Sequence, residues 1–150
     1  MEWLGRGIQD IIHKFKYSFY VIQQDFNIKC PCVHHSDQPD PGCMLCLGTG
    51  FKIYIREMQG YSEDMMQSIR QSFSSEPVMS RDYYICSHYL IRRKNIIVEM
   101  DEKEAYNVHE MERLTSVEKD KIYQLCYTYP KKTDNGLFIK NFEKIIRRGD

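Results

Sequence analysis

Cys30-Pro31-Cys32-Val33-His34-His35-Ser36-Asp37-Gln38-Pro39-Asp40-Pro41-Gly42-Cys43-Met44-Leu45-Cys46-Leu47-Gly48-Thr49-Gly50 is the stretch from which the rest of the chain is read. Four of the six cysteines fall here, as C-x-C, ten intervening residues, then C-x-x-C. Three of the five prolines and three of the eight glycines lie in the same window. Proline lacks a backbone donor and glycine lacks stiffness, so the segment is neither a long helix nor a central strand. Something other than a hydrophobic core must fix it. One Zn²⁺ held by Cys30, Cys32, Cys43 and Cys46 does this, because two cysteine pairs on tight turns present four thiolates tetrahedrally. Pro41-Gly42 bends the chain before the second pair, and Gly48 and Gly50 are expected where a Cβ would crowd the thiolates. The competing readings are two disulfides, a mixed site using His34 or His35, and four reduced thiols in a loop. A catalytic zinc fits less well, since four thiolates leave no open position for water.

The 150 residues suit one modest core with an appendage. The chain carries 21 basic and 21 acidic side chains, so its net charge of zero argues against a strong nucleic-acid footprint. No apolar run approaches the roughly 18 residues of a membrane span. Met1-Glu2-Trp3-Leu4-Gly5-Arg6 does not start a signal peptide, and a reducing compartment is expected, which favours metal over disulfide. The 11 tyrosines and 7 phenylalanines tilt the chain toward strands and interfaces.

Around the cysteine loop, residues 1–24 read as an N-terminal helical segment. Trp3, Leu4, Ile8, Ile11, Ile12, Phe15 and Phe19 recur at offsets of three and four across residues 3–20. Such a helix packs on its own domain or on a neighbouring subunit. Residues 25–50 form the cysteine-rich metal loop, entered through a short strand at residues 21–29. Residues 51–150 read as a small β domain. Phe51, Ile53 and Ile55 alternate onto one face of a strand. Residues 57–80 are polar, with either a helix starting at Ser62-Glu63-Asp64 or an irregular hairpin. Short strands follow at Tyr83–Cys86, Ile96–Met100, Tyr106–His109 and Lys121–Tyr129, with turns at Arg92–Asn95 and Asp101–Glu104. In the last strand Tyr123, Leu125, Tyr127 and Tyr129 are expected to share a face. Asp134-Asn135-Gly136 is a hairpin signal, and Leu137–Ile146 starts as a strand or forms a helical face. The fold expected is mainly β: a small antiparallel barrel or sandwich with an N-terminal helix and an inserted four-cysteine, zinc-ribbon-like loop.

No Gly-rich phosphate loop is present, and Gly48-Thr49-Gly50 is too short for a dinucleotide fingerprint. His13, His88 and His109 each stand alone, and Cys86 and Cys126 read as packed thiols. Arg92-Arg93-Lys94, Lys131-Lys132 and Arg147-Arg148 read as solvated turns and a tail. No catalytic residues are assigned and no enzymatic activity is expected.

The run Cys30-Pro31-Cys32, then Gln38-Pro39-Asp40-Pro41-Gly42-Cys43-Met44-Leu45-Cys46-Leu47-Gly48-Thr49-Gly50, resembles a loop of tailed-bacteriophage neck proteins. Asn95-Ile96-Ile97-Val98, Tyr106-Asn107-Val108 and Tyr123-Gln124-Leu125-Cys126 are similar to the strand rhythm of the head-closure (stopper) type. The resemblance covers about residues 25 to 142. It implies a structural virion protein, assembled in the host cytoplasm, whose copies form a ring between a portal or adaptor above and a tail protein below. It also implies loops that help retain DNA in the channel, and no membrane partner. Zinc rests on the cysteine spacing and not on the resemblance. Cys43 to Gly50 alone also resembles the C-x-x-C-x-G-x-G unit of DnaJ-type co-chaperones, which implies instead a zinc-stapled protein- or nucleic-acid-interaction module.

Overall fold

The structure is a computed structural model that describes residues 17–33, 37–63, 81–114, 121–131 and 135–148. Among the described residues six strands appear in chain order: β1 Tyr17–Lys29, β2 Phe51–Glu63, β3 Arg81–Ser87, β4 Ile96–Glu99, β5 Glu104–Leu114 and β6 Ile122–Pro130. A helix, α1, spans Asn135–Arg148. The strands close into an antiparallel barrel in the order β1-β2-β3-β6-β5-β4. Closure is made where β4 meets β1, with Tyr20 opposite Val98, Val21 opposite Ile97 and Ile22 opposite Ile96.

Strand side chains alternate between two faces, and here both faces are put to use. Phe19 and Val21 of β1 point into the barrel with Met58, Tyr83, Ile85, Ile97, Tyr106 and Cys126, so the interior is a packed core. Tyr20 and Ile22 point outward and join Ile96, Val98 and Ala105 beneath α1. The helix presents Phe138, Ile139, Phe142, Ile145 and Ile146 to that face, at the i, i+4, i+7 spacing of an apolar stripe. Arg147 and Arg148 occupy its last turn, where positive charge suits the helix dipole. All four residues of β4 are buried, because this short strand is covered on both sides.

Polar groups close both ends of the interior. At one end Arg81 pairs with Glu99, whose Oε1 also accepts from Tyr83 Oη at 2.9 Å. Arg81 bonds Glu102 as well, at 2.8 Å, and Thr128 Oγ1 donates to the Arg81 carbonyl. Burial works against the Arg81 charge, but Glu99 outweighs it and holds the guanidinium above its ordinary pKa. At the other end Gln124 receives the Ile91 N–H at 2.8 Å and donates to the Ile91 carbonyl at 3.0 Å. This bidentate clamp ties the β3–β4 connection across the barrel.

The barrel and its turns match expectation, with Lys94 (φ 71°) and Lys103 (φ 54°) at the two predicted polar turns. Other expectations need correction. Residues 1–16 of the expected helical segment lie outside the described residues; residues 17–20 are strand rather than helix, and residues 21–29 continue as the expected strand. β1 is an integral barrel strand, so the β domain begins before the cysteine loop and not at residue 51. Residues 57–63 continue β2, and residues 59–63 pair with β3, which agrees with the hairpin alternative and not with a helix starting at Ser62; residues 64–80 lie outside the described set. In β6 the sequence expectation of one shared face for Tyr123, Leu125, Tyr127 and Tyr129 left open which face lies inside, and burial falls on both. Gln124, Cys126 and Thr128 are buried, while Tyr129 is exposed and stacks on His109. The polar pair is tolerated inside because both side chains bond backbone groups. Asn135-Gly136 opens α1 and makes no hairpin, and Leu137–Ile146 is wholly helical.

Gly60 stands where β2 passes close to Phe19 of β1 and Tyr84 of β3. A Cβ there would lie 2.4 Å from the Tyr84 carbonyl oxygen and 3.0 Å from the Phe19 ring. Gly60→Ala is expected to destabilise the barrel by about 2 kcal/mol or more, read as a lower urea midpoint. Glu99→Ala is expected to cost about 3–5 kcal/mol, because it leaves Arg81 buried without its main counter-charge. A midpoint within error of the wild type would contradict either assignment.

Candidate metal centre

The cysteine loop joins β1 to β2 and is shaped by its own short-range hydrogen bonds. Val33 N–H donates to the Cys30 carbonyl at 3.1 Å, turning the chain across Cys30-Pro31-Cys32. Asp40 then makes an Asx turn: its Oδ1 accepts the Gly42 N–H at 2.9 Å, and its carbonyl accepts the Cys43 N–H at 3.0 Å. One helical turn follows, with Leu47 N–H on the Cys43 carbonyl at 3.0 Å. Gly48 and Gly50, both at φ 84°, reverse the chain after Cys46. A Cβ at Gly48 would meet the Pro41 backbone and one at Gly50 the Pro39 ring, so prolines, not thiols, crowd these positions. Cys30 N–H donates to the Gly50 carbonyl at 2.9 Å and closes the loop at its neck.

These turns bring Cys30, Cys32, Cys43 and Cys46 together, with all four Sγ atoms within 4.8 Å of one another. Cys30 Sγ lies 3.7 Å from Cys43 Sγ, and Cys32 Sγ lies 3.6 Å from Cys46 Sγ. Four thiolates at roughly 2.3 Å around one metal sit roughly 3.8 Å apart, so the observed spacing suits a tetrahedral metal site. All six cysteines are free thiols in this structure. Cys30 and Cys46 are buried, while Cys32 and Cys43 are partly exposed. Burial pushes the Cys46 thiol up to about 12 and raises Cys30 as well. At Cys43 burial also acts upward, but the Cys46 and Leu45 backbone N–H groups and neighbouring thiols outweigh it, and its pKa falls. A metal bound here displaces thiol protons, so its hold weakens as pH falls.

The four cysteines singled out by their spacing are thus the four that the fold brings together. His34 and His35 lie outside the described residues. Cys126 is sealed in the barrel with its thiol pushed up to about 12, and Cys86 sits on β3, apart from the four-cysteine cluster. What the spacing alone missed is the anchor. Leu47, one residue past the last cysteine, is buried in the cluster beneath α1 and joins the cysteine lobe to the barrel's outer core. An apolar residue between Cys46 and Gly48 was its visible signal. Among the described residues no helix is long and apolar enough to cross a membrane.

No protein-family model matches the chain, and no curated protein matches it at a significant level.

Cys43→Ser is expected to lose stoichiometric metal and to open residues 30–50 to protease. The loss should exceed the ~10–100-fold in affinity that even an outer-shell partner controls. Cys86→Ser is expected to keep both metal and protection. Elemental analysis with limited proteolysis distinguishes the two, and equal behaviour would contradict the ligand assignment.

Proposed function

We propose that this protein is a structural component of a tailed-phage neck, of the head-closure type, and that its cysteine cluster holds zinc as a fold-stabilising ion. A small closed antiparallel barrel that carries a four-cysteine lobe between its first two strands is the observation behind this reading. Soft thiolates in a tetrahedral set select zinc over hard cations, and with four thiolates the ion is a staple rather than a catalyst. The barrel interior is filled, so any channel would run between copies of the chain and not through one. Phe26, Ile28, Leu45, Tyr54, Tyr89 and Tyr129 remain exposed, which is apolar surface that a neighbouring subunit can bury. A ring lets one heterologous contact repeat until it closes. Portal or adaptor above, tail protein below and DNA in the channel are the partners this reading assigns, within a virion assembled in the host cytoplasm.

A second reading is a monomeric zinc-stapled interaction module. It is favoured by the concentration of Phe26, Ile28 and Leu45 at or beside the cysteine lobe, with Leu45 68 % exposed. Electron microscopy of the zinc-loaded protein mixed with portal and tail components separates the two. A rotationally symmetric ring coaxial with the channel is the expected result. A stable monomer that joins none of these components would overturn the neck assignment.

A further inference from the structure

We propose that the cleft between the cysteine lobe and the barrel is a receptor for an acidic, extended segment of a partner protein. The inference holds whether or not copies of the chain form a ring. The cleft has a volume of about 360 Å³, within the range of side-chain-sized and small-ligand sites. Gln24, Ile96 and Asn107 make its floor, one from each of the adjacent strands β1, β4 and β5. The turn Leu47-Gly48-Thr49 of the cysteine lobe makes one wall. That turn is positioned by Cys46, whose carbonyl accepts both the Thr49 N–H and the Thr49 hydroxyl.

Charge selects the occupant. Lys94 and Lys131 both line the cleft, and no aspartate or glutamate among the described residues does. Two lysines and no described carboxylate thus line one cleft of a chain whose net charge is zero. The lysines sit on aromatic faces, Lys94 Nζ 5.8 Å from the Phe26 ring centroid and Lys131 Nζ 5.0 Å from that of Phe138. Each ammonium is thus held beside apolar surface, where a partner carboxylate meets less competing water. Phe26 and Phe51 also line the site, packed edge to face at 5.0 Å, and offer a ring surface to an apolar side chain. The Asn107 amide on the floor can bond an extended backbone. The combination fits a segment alternating carboxylates with apolar side chains, because an extended chain sends successive side chains to opposite sides.

The backbone arrangement supports the same occupant. β4 has four residues between neighbours of 13 and 11. Beyond Ile22, where β1 stops pairing with β4, the contact from β1 to the β3–β4 connection passes through side chains. Gln24 Nε2 donates to the Lys94 carbonyl at 2.6 Å, and Asn95 Nδ2 donates to Gln24 Oε1 at 2.9 Å. Phe26 and Ile28 follow on β1, both more than 40 % exposed. An extended partner segment entering beside them extends the sheet where β4 stops.

The test uses the zinc-loaded full chain and a fluorescein-labelled hexapeptide alternating glutamate with leucine, followed by fluorescence anisotropy. Saturable binding of one probe per chain is expected, weakening with added salt. The glutamine-for-glutamate twin is expected to bind at least about tenfold more weakly, as loss of charge-assisted contacts implies. Lys131→Met and Asn107→Asp are expected to weaken the acidic probe by about tenfold. Lys94→Asn should act likewise and keep the positive φ, which asparagine tolerates. Unchanged zinc content and melting temperature establish that each variant is folded. Chelating the zinc is expected to lower the affinity, because it releases the Leu47–Thr49 wall. The proposal is overturned if the twin binds equally, or if the three folded variants bind like the wild type. It is also overturned if a single-stranded oligonucleotide of the same charge displaces the probe at lower concentration than unlabelled peptide does.

Discussion

Three residue pairs between β1 and β4 turn a six-stranded sheet into a barrel. Without them β1 and β4 would each present an open edge, and the interior would be one face of a sheet. With them Phe19, Val21 and Ile97 are enclosed, while Tyr20, Ile22, Ile96 and Val98 form the platform for α1. Closure therefore creates both cores at once. It also explains why β4 can be so short: both its faces and both its edges are used.

The outer core couples the helix to the cysteine lobe. Phe138 and Phe142 lie parallel at 6.3 Å, and Phe142 meets Tyr20 edge to face at 5.5 Å. Leu47 enters the same cluster from the cysteine loop. Fully burying one such side chain contributes roughly 1.5–3 kcal/mol, enough to orient a lobe but not to fold it. In the zinc reading the four thiols supply the remainder, since metal binding in such a loop is itself folding free energy. The loaded lobe is then fixed at two points, by its metal and by Leu47, and the cleft wall inherits that rigidity.

The interior is less apolar than a barrel of this size needs to be. Arg81, Glu99, Gln124 and Thr128 all have buried atoms in it, and each is held by hydrogen bonds to named partners. An ion pair of this kind is weak evidence for stability, because desolvation offsets attraction. Its geometric effect is firmer. Glu99 of β4 can serve Arg81 and Tyr83 of β3 only when the barrel is closed in this register.

The four-cysteine cluster was legible in the sequence because it is local: C-x-C and C-x-x-C on Pro/Gly turns need only short-range geometry to converge. The strands and the turns at Lys94 and Lys103 were legible for the same reason, since alternation and turn chemistry act over a few residues. Where a strand is buried on both faces, alternation carries no information. That is why Phe19 at the start of β1 fits the helical period of the residues before it as well as the strand that the structure shows. It is also why the spacing of Tyr123, Leu125, Tyr127 and Tyr129 places them on one face of β6 without saying which face the barrel buries. Sequence alone determined that this chain is a strand-rich protein with a four-thiol loop. Only the tertiary structure decided that β1 pairs with β4, that the last segment is a helix over that seam, and that Leu47 pins the loop beside it. Those outcomes depend on contacts between residues far apart in the chain, which no local pattern encodes.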